Sequence, residues 1–254
     1  MPDGSTVLSV AKAMELLQQL SDAGEPLTLT ELSARTGFPK STVFGLLTTM
    51  RDADVVAQRE DGKYALGLRL FEYGCRVSEA WSGSAAARPY MEHLAAEVGA
   101  SAILSLCENG HVVALDQVEG RGELRVVSSL GAPLPLHCTS QGKVFLAHMS
   151  ESEAAGVLSR APLTPFTPHT ITDAKALLAA LPRIRAEGYA VENGEFKIGL
   201  RSISAPVRER SGKVRYTVGV IGMFRSVHSE EFRRAAESVT AAGRMISAAL
   251  GWRE

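Results

Sequence analysis

The stretch that most constrains this chain is residues 27–50, LTLTELSARTGFPKSTVFGLLTTM, which reads as two short helices joined by a tight turn. Thr28 or Thr30 can cap the first helix, Leu29, Leu32 and Ala34 are expected to face inward, and Gly37 stops it because glycine takes positive φ without steric cost. Pro39 presets the start of the second helix, whose buried face Val43, Leu46, Leu47 and Met50 follows the i, i+3, i+4, i+7 pattern. That periodicity turns Lys40, Ser41, Thr42, Phe44 and Gly45 outward. Small hydroxyls and a lysine at a helix N-terminus suit a helix laid in the major groove, where side chains meet base edges and N–H groups meet phosphates. An ordinary helical hairpin has the same spacing, so the stretch alone leaves both readings open.

Length and composition narrow the field. The 254 residues are 45% hydrophobic and 22% charged, which fits a globular chain of one large or two smaller domains and excludes disordered and collagen-like classes. The net charge of −1 supplies no global attraction to nucleic acid, and residues 1–70 carry seven basic against nine acidic side chains. Between residues 28 and 47, however, Arg35 and Lys40 outnumber Glu31, so local placement has to supply the phosphate contacts. Cys75, Cys107 and Cys138 form no CxxC pair, so neither a disulfide framework nor a thiolate zinc site is expected, and a reducing cytoplasm fits. No signal-peptide pattern is seen at the N-terminus, and no apolar run approaches the roughly 20 residues of a membrane span.

In chain order, residues 6–20 predict an amphipathic first helix with Val7, Val10, Ala11, Met14 and Leu17 on one stripe, ending before Gly24. After Met50, two extended runs flank Asp61-Gly62, a strong hairpin signal, and three helices followed by a β-hairpin make a winged helix-turn-helix. Arg59 and Lys63 flank the tip of the wing, placed to reach a phosphate or the minor groove, although solvated surface charges look the same. Residues 67–82 carry Leu68, Phe71, Cys75 and Ser78 at a 3,4,3 spacing, a narrow seam that suits a linker helix packing on a copy of itself or on a domain edge. The expected division is a DNA-binding domain at 1–67, a linker helix at 68–82 and a second domain at 83–254.

The second domain alternates helix and strand. Strands are expected at 101–107, 112–118, 124–128, 189–192, 201–208 and 214–222, with a proline-bearing loop at 131–139. Helices are expected at 85–98, 140–149, 151–159, 173–187 (kinked or shortened by Pro182) and 229–250. The predicted class is α+β, built on a mostly antiparallel sheet.

Several motifs in order, LTLTELSARTGFPKSTV, PLPLHCTSQGKVFLA, IRAEGY, GYAVENGEFKIGLRSISAPV and VGVIG, resemble the IclR family of bacterial transcription regulators over nearly the whole chain. The resemblance implies a winged helix for double-stranded DNA, with Thr28, Lys40, Ser41, Thr42, Phe44, Gly45, Arg59 and Lys63 at the interface. It also implies a linker helix and a GAF-like effector-binding domain, acting as a homodimer or a dimer of dimers on a pseudo-palindromic operator, as a repressor, without a cofactor. By the same resemblance Val126, Leu134, Ser140, Gln141, Glu192, Leu200, Ser202, Gly219 and Ile221 would surround a small organic or aromatic acid, its carboxylate at the N-terminus of the helix opened by Ser140, where Gly142 lets backbone come close. For the apolar members, core packing is an equally good reading. Family members commonly carry His and Arg where this chain has Phe44 and Gly45, which alters the expected operator. Some show serines where Gly219 and Ile221 stand, which predicts a less polar and, at Gly219, roomier wall.

Rival chemistries have less support. QGKV lacks the earlier glycine and following Ser/Thr of a phosphate loop, and the six histidines show no HxH or HxxxH spacing. His137 and Cys138 are adjacent and in an extended segment would point to opposite faces, so the imidazole cannot easily activate the thiol. An enzyme with a helical appendage, or a winged helix that binds protein rather than DNA, remain the alternatives to a regulator.

Overall fold

A computed structural model of the protein describes residues 6–80, 83–108, 110–120, 130–160 and 162–253, without the side chains of 78–80. The chain divides into two compact units, Met1–Trp81 and Ser82–Glu254.

The first unit holds α1 (Leu8–Ala23), α2 (Leu29–Thr36), α3 (Lys40–Asp52), the antiparallel hairpin β1 (Val56–Gln58) and β2 (Tyr64–Leu66), and α4 (Leu68–Ala80). Thr28 caps α2 through a capping box: its hydroxyl accepts from the Glu31 N–H while the Glu31 carboxylate accepts from the Thr28 N–H at 2.7 Å. Gly37 closes the same helix in the left-handed conformation, φ 71°. Leu16, Leu20, Leu32, Val43, Leu47, Met50, Val56 and Tyr64 form the core, and Leu27 joins the hairpin through paired backbone bonds to Tyr64. Burying each such side chain contributes about 1.5–3 kcal/mol, which is what makes so small a bundle stable.

Two sequence expectations change here. The stripe Val7, Val10, Ala11 and Met14 faces solvent, and Leu16 and Leu20, with Ala13 and Leu17, enter the core instead. The helix is apolar on two sides, so periodicity could not choose between them, and packing on α2 and α3 does. Ala34 is exposed as well, since Leu32 and Leu29 already fill the side of α2 that meets α3.

Among the described residues, the second unit is built on a six-stranded antiparallel sheet in the order β5-β4-β3-β8-β7-β6, from β3 (Ser101–Glu108), β4 (His111–Val118), β5 (Pro133–Leu134), β6 (Ala190–Asn193), β7 (Arg201–Arg208) and β8 (Val214–Gly222). One face packs on α5 (Gly83–Val98) and α9 (Glu230–Ala249), the other on α6 (Ser140–His148), backed by α7 (Glu151–Ser159) and α8 (Ala174–Glu187). The expected strand at 124–128 lies outside the described residues. The sixth strand is Pro133–Leu134, inside the segment read as a loop, where Leu134 pairs with Val112 at the sheet edge and the proline's missing donor is tolerated. Pro182 does not shorten α8, because Leu177 and Leu181 anchor it against α6 and α7.

Candidate nucleic-acid interface and ligand site

The two helices of the hairpin begin differently. The N-terminus of α2 is closed by its capping box, whereas α3 starts after Pro39 with no side-chain cap, which leaves the first N–H groups of Lys40, Ser41 and Thr42 to meet an external acceptor. Lys40, Ser41, Phe44 and Gly45 are exposed and Thr42 half-buried, while Val43 and Leu47 behind them are fully buried. Phe44 keeps 57% of its surface in water, on the side of α3 away from its core face. Thr28 contributes differently: its hydroxyl and N–H are both committed to Glu31, so it fixes α2. Arg59 is exposed and Lys63 half-buried at the hairpin tip, joined by an Arg59 N–H to Lys63 carbonyl bond of 2.8 Å across the turn.

In the second unit, strand register gathers the polar residues. Ser202 is opposite Glu192 on one side and Ile221 on the other, Ile221 is opposite Ser101, and Ser204 is opposite Gly219. Paired residues share a face, so all of these look toward α6. There the Ser140 hydroxyl lies 2.9 Å from Ser202 Oγ and 2.8 Å from Ser204 Oγ, and Ser202 donates to Glu192 Oε2 at 3.2 Å. Glu192 Oε1 accepts from the N–H groups of Glu195 and Phe196. Burial nevertheless pushes its carboxyl above the usual carboxylate range, the backbone donors opposing this only in part. Thr139 caps α6 through the Gly142 N–H, which leaves the Ser140 and Gln141 N–H groups as those the helix cannot satisfy.

A second tier holds this arrangement in place. Lys143, at 5% exposure, donates to Glu195 Oε1 at 2.5 Å and to the Val191 carbonyl at 2.9 Å, tying α6 to β6 and to the turn whose N–H groups grip Glu192. Ser204, Lys143 and Glu195 were not among the residues picked from sequence. The Ser-x-Ser alternation in RSISAPV was the available signal for Ser204, and the Lys143–Glu195 pair, 52 positions apart, had none.

The remaining predicted residues separate. Leu134 is on β5, at the opposite sheet edge from Glu192, and lines another cavity with His111, His137 and Phe166. Leu200 is half-buried in the turn before β7, its carbonyl accepting from the Gly194 N–H. Val126 lies outside the described residues. The extra room expected at Gly219 does not exist: a Cβ there would lie 2.2 Å from Ser204 Oγ and 2.3 Å from the Ile203 carbonyl, because the serine on the neighbouring strand occupies the space. Gly142 does permit a close approach, but by the Leu136 backbone rather than a ligand.

Comparison with known proteins follows the same division. The profile described as "IclR helix-turn-helix domain" matches residues 9–60, and that described as "Bacterial transcriptional regulator IclR C-terminal" matches residues 84–248. The chain belongs to the IclR family. This IclR regulator is 30% identical over 247 residues to the HTH-type transcriptional regulator XynR of Escherichia coli K12, covering 97% of this chain and 98% of that one. It is 32% identical over 250 residues to KdgR of the same organism, covering 98% and 95%. Among solved structures, an IclR transcriptional regulator from Alicyclobacillus acidocaldarius superposes with a TM-score of 0.82 at 30% identity, over 97% of this chain and 100% of that one. An IclR homolog from Microbacterium hydrocarbonoxydans, complexed with 4-hydroxybenzoate, does so with a TM-score of 0.82 at 25% identity, over 95% and 98%. The protein is thus a ligand-responsive DNA-binding transcription regulator, α+β in class, and the relatives named are regulators rather than enzymes.

Elsewhere in this IclR regulator, Cys138 is buried and its thiol is pushed up to about 12 by burial and by Glu195, while His137 Nε2 lies 3.0 Å from the Thr164 carbonyl. A thiol held so far above neutrality is a poor nucleophile. Among the described residues no group of three His, Cys, Asp or Glu is placed to hold a metal, and no helix is long and apolar enough to cross a membrane.

Proposed function

We propose that this regulator is a homodimeric repressor that presents Lys40, Ser41, Thr42, Phe44 and Gly45 of α3 to the major groove and Arg59 and Lys63 to flanking phosphates, and that its effector is an aromatic monocarboxylate. The uncapped, exposed start of α3 supports the first part, and relatives named as repressors, the AllR proteins at 28–29% identity, support the mode of action. Self-association is supported by α4, where Leu68, Phe71, Cys75 and Val77 are all exposed within one protomer. The soluble, cytoplasmic setting of a DNA operator follows from the same reading.

The observation that carries the effector assignment is a polar end built from Ser140, Ser202 and a Glu192 with raised pKa, beside the apolar Ile221. A carboxylate accepts from the Ser140 and Gln141 N–H groups, and Glu192, when protonated, donates to it, while a flat apolar body lies along Ile221. The 4-hydroxybenzoate bound by the Microbacterium homolog is such a molecule. Ionised Glu192 would repel the ligand, so affinity falls as pH rises through the raised Glu192 pKa. Calorimetry with 4-hydroxybenzoate, pyruvate and glyoxylate across pH tests this: the aromatic acid should bind most tightly, weakening at higher pH, and Glu192→Gln should bind it with a flat pH profile. Tight pyruvate or glyoxylate binding with none by aromatic acids would reject the assignment.

A further inference from the structure

At the other end of α6 from Ser140, a cavity of about 390 Å³ opens between α6, α8, β7 and α9. It is lined by three arginines, one from each of three elements: Arg185 of α8, Arg208 of β7 and Arg244 of α9. Among the described residues its only carboxylate, Glu187, is taken by Arg183 at 2.7 Å. Two of the guanidinium groups are pinned. Arg185 donates from Nε to the Ala147 carbonyl at 2.6 Å and from a terminal nitrogen to Met149 at 3.3 Å, and Arg208 donates to the Gly212 carbonyl at 2.8 Å while lying 5.6 Å from the Trp252 ring centroid.

Three positive charges brought into one concavity from separate elements repel one another, and the low-dielectric walls strengthen that field. Fixed guanidinium groups offer further N–H donors in the fork geometry that matches carboxylate and phosphate oxygens. His148 completes the lining: its Nδ1 is 2.9 Å from the Val144 carbonyl, which leaves Nε2 for a ligand, and burial together with Arg208 and Arg185 lowers its pKa. A volume near 400 Å³ suits a small metabolite.

We propose that this cavity is a second ligand site, separate from that at Ser140, which takes a small polyanion carrying phosphoryl or several carboxyl groups. Its two ends are informative about function: α6 and β7 both run from the Ser140–Ser202 network to this cavity, about 12 Å along the helix. The test is calorimetry of the full chain with pyrophosphate and, separately, citrate, in low-chloride buffer. Saturable binding at or below roughly 1 mM is expected. Arg244→Glu, on an exposed residue, should weaken it about tenfold or more with unchanged thermal unfolding, whereas Arg225→Glu, outside the cavity, should leave it intact. Pyrophosphate alone binding assigns a phosphoryl ligand, citrate alone a polycarboxylate, and both an oxyanion read by charge. No saturable binding of either, or equal weakening by Arg225→Glu, overturns the proposal. So does loss of self-association in Arg244→Glu without anion binding, which would make this face a contact between copies.

Discussion

Gly219 lies inside β8 and Gly45 inside α3, and their surroundings predict opposite responses to a side chain. Over Gly219 the neighbouring Ser204 and the Ile203 carbonyl leave no room for a Cβ, so Gly219→Ser should destabilise the second unit by about 1–3 kcal/mol, read as a lower urea midpoint. A Cβ on Gly45 meets nothing within 4 Å, and glycine in a helix interior costs about 0.5–1 kcal/mol against alanine, so Gly45→Ala should stabilise the first unit by that amount, read as a higher urea midpoint. At this scale the sequence was informative where chemistry is local. The Thr28 cap, the Gly37 stop and the burial of Val43 and Leu47 follow from spacing, and all are found. It was silent where partners come from distant segments: the Ser140–Ser204 bond and the Lys143–Glu195 pair need the sheet register before they can be seen.

Helices α1 and α4 each carry an apolar stripe that is exposed in the single chain. The 3,4,3 spacing of Leu68, Phe71 and Cys75 was legible, and all three are exposed, Phe71 at 68%; the side chain of Ser78 lies outside the described residues. Periodicity identifies an apolar face but not what buries it: on α1 the core takes Leu16 and Leu20 rather than the expected stripe, and on α4 the seam is exposed. Because Phe71 buries little within one chain, Phe71→Glu should leave the unfolding of the protomer nearly unchanged while dissociating it in sedimentation experiments and weakening operator binding at least about tenfold. A variant that unfolds early yet stays associated would mean that α4 packs within its own chain instead.

For the whole molecule, the proposed reader on α3 and the proposed ligand network at Ser140 are in different units, so on that reading the effector acts on operator affinity only through unequal binding to DNA-competent and incompetent arrangements, a coupling typically of about 1–3 kcal/mol. The two-part division and the α+β class were readable from the change of pattern after residue 82, while the second layer of the proposed ligand site was not, since it joins α6 to β6 and the turn after it, about 50 positions further along the chain. The claim beneath all of this is that the outer side of α3 reads DNA. Fluorescence anisotropy of the full chain and Lys40→Ala on its own promoter fragment, over a salt series, tests it most directly. The account predicts that Lys40→Ala weakens binding on every fragment and lowers the slope of log affinity against log salt by about one. Unchanged affinity and slope would contradict it.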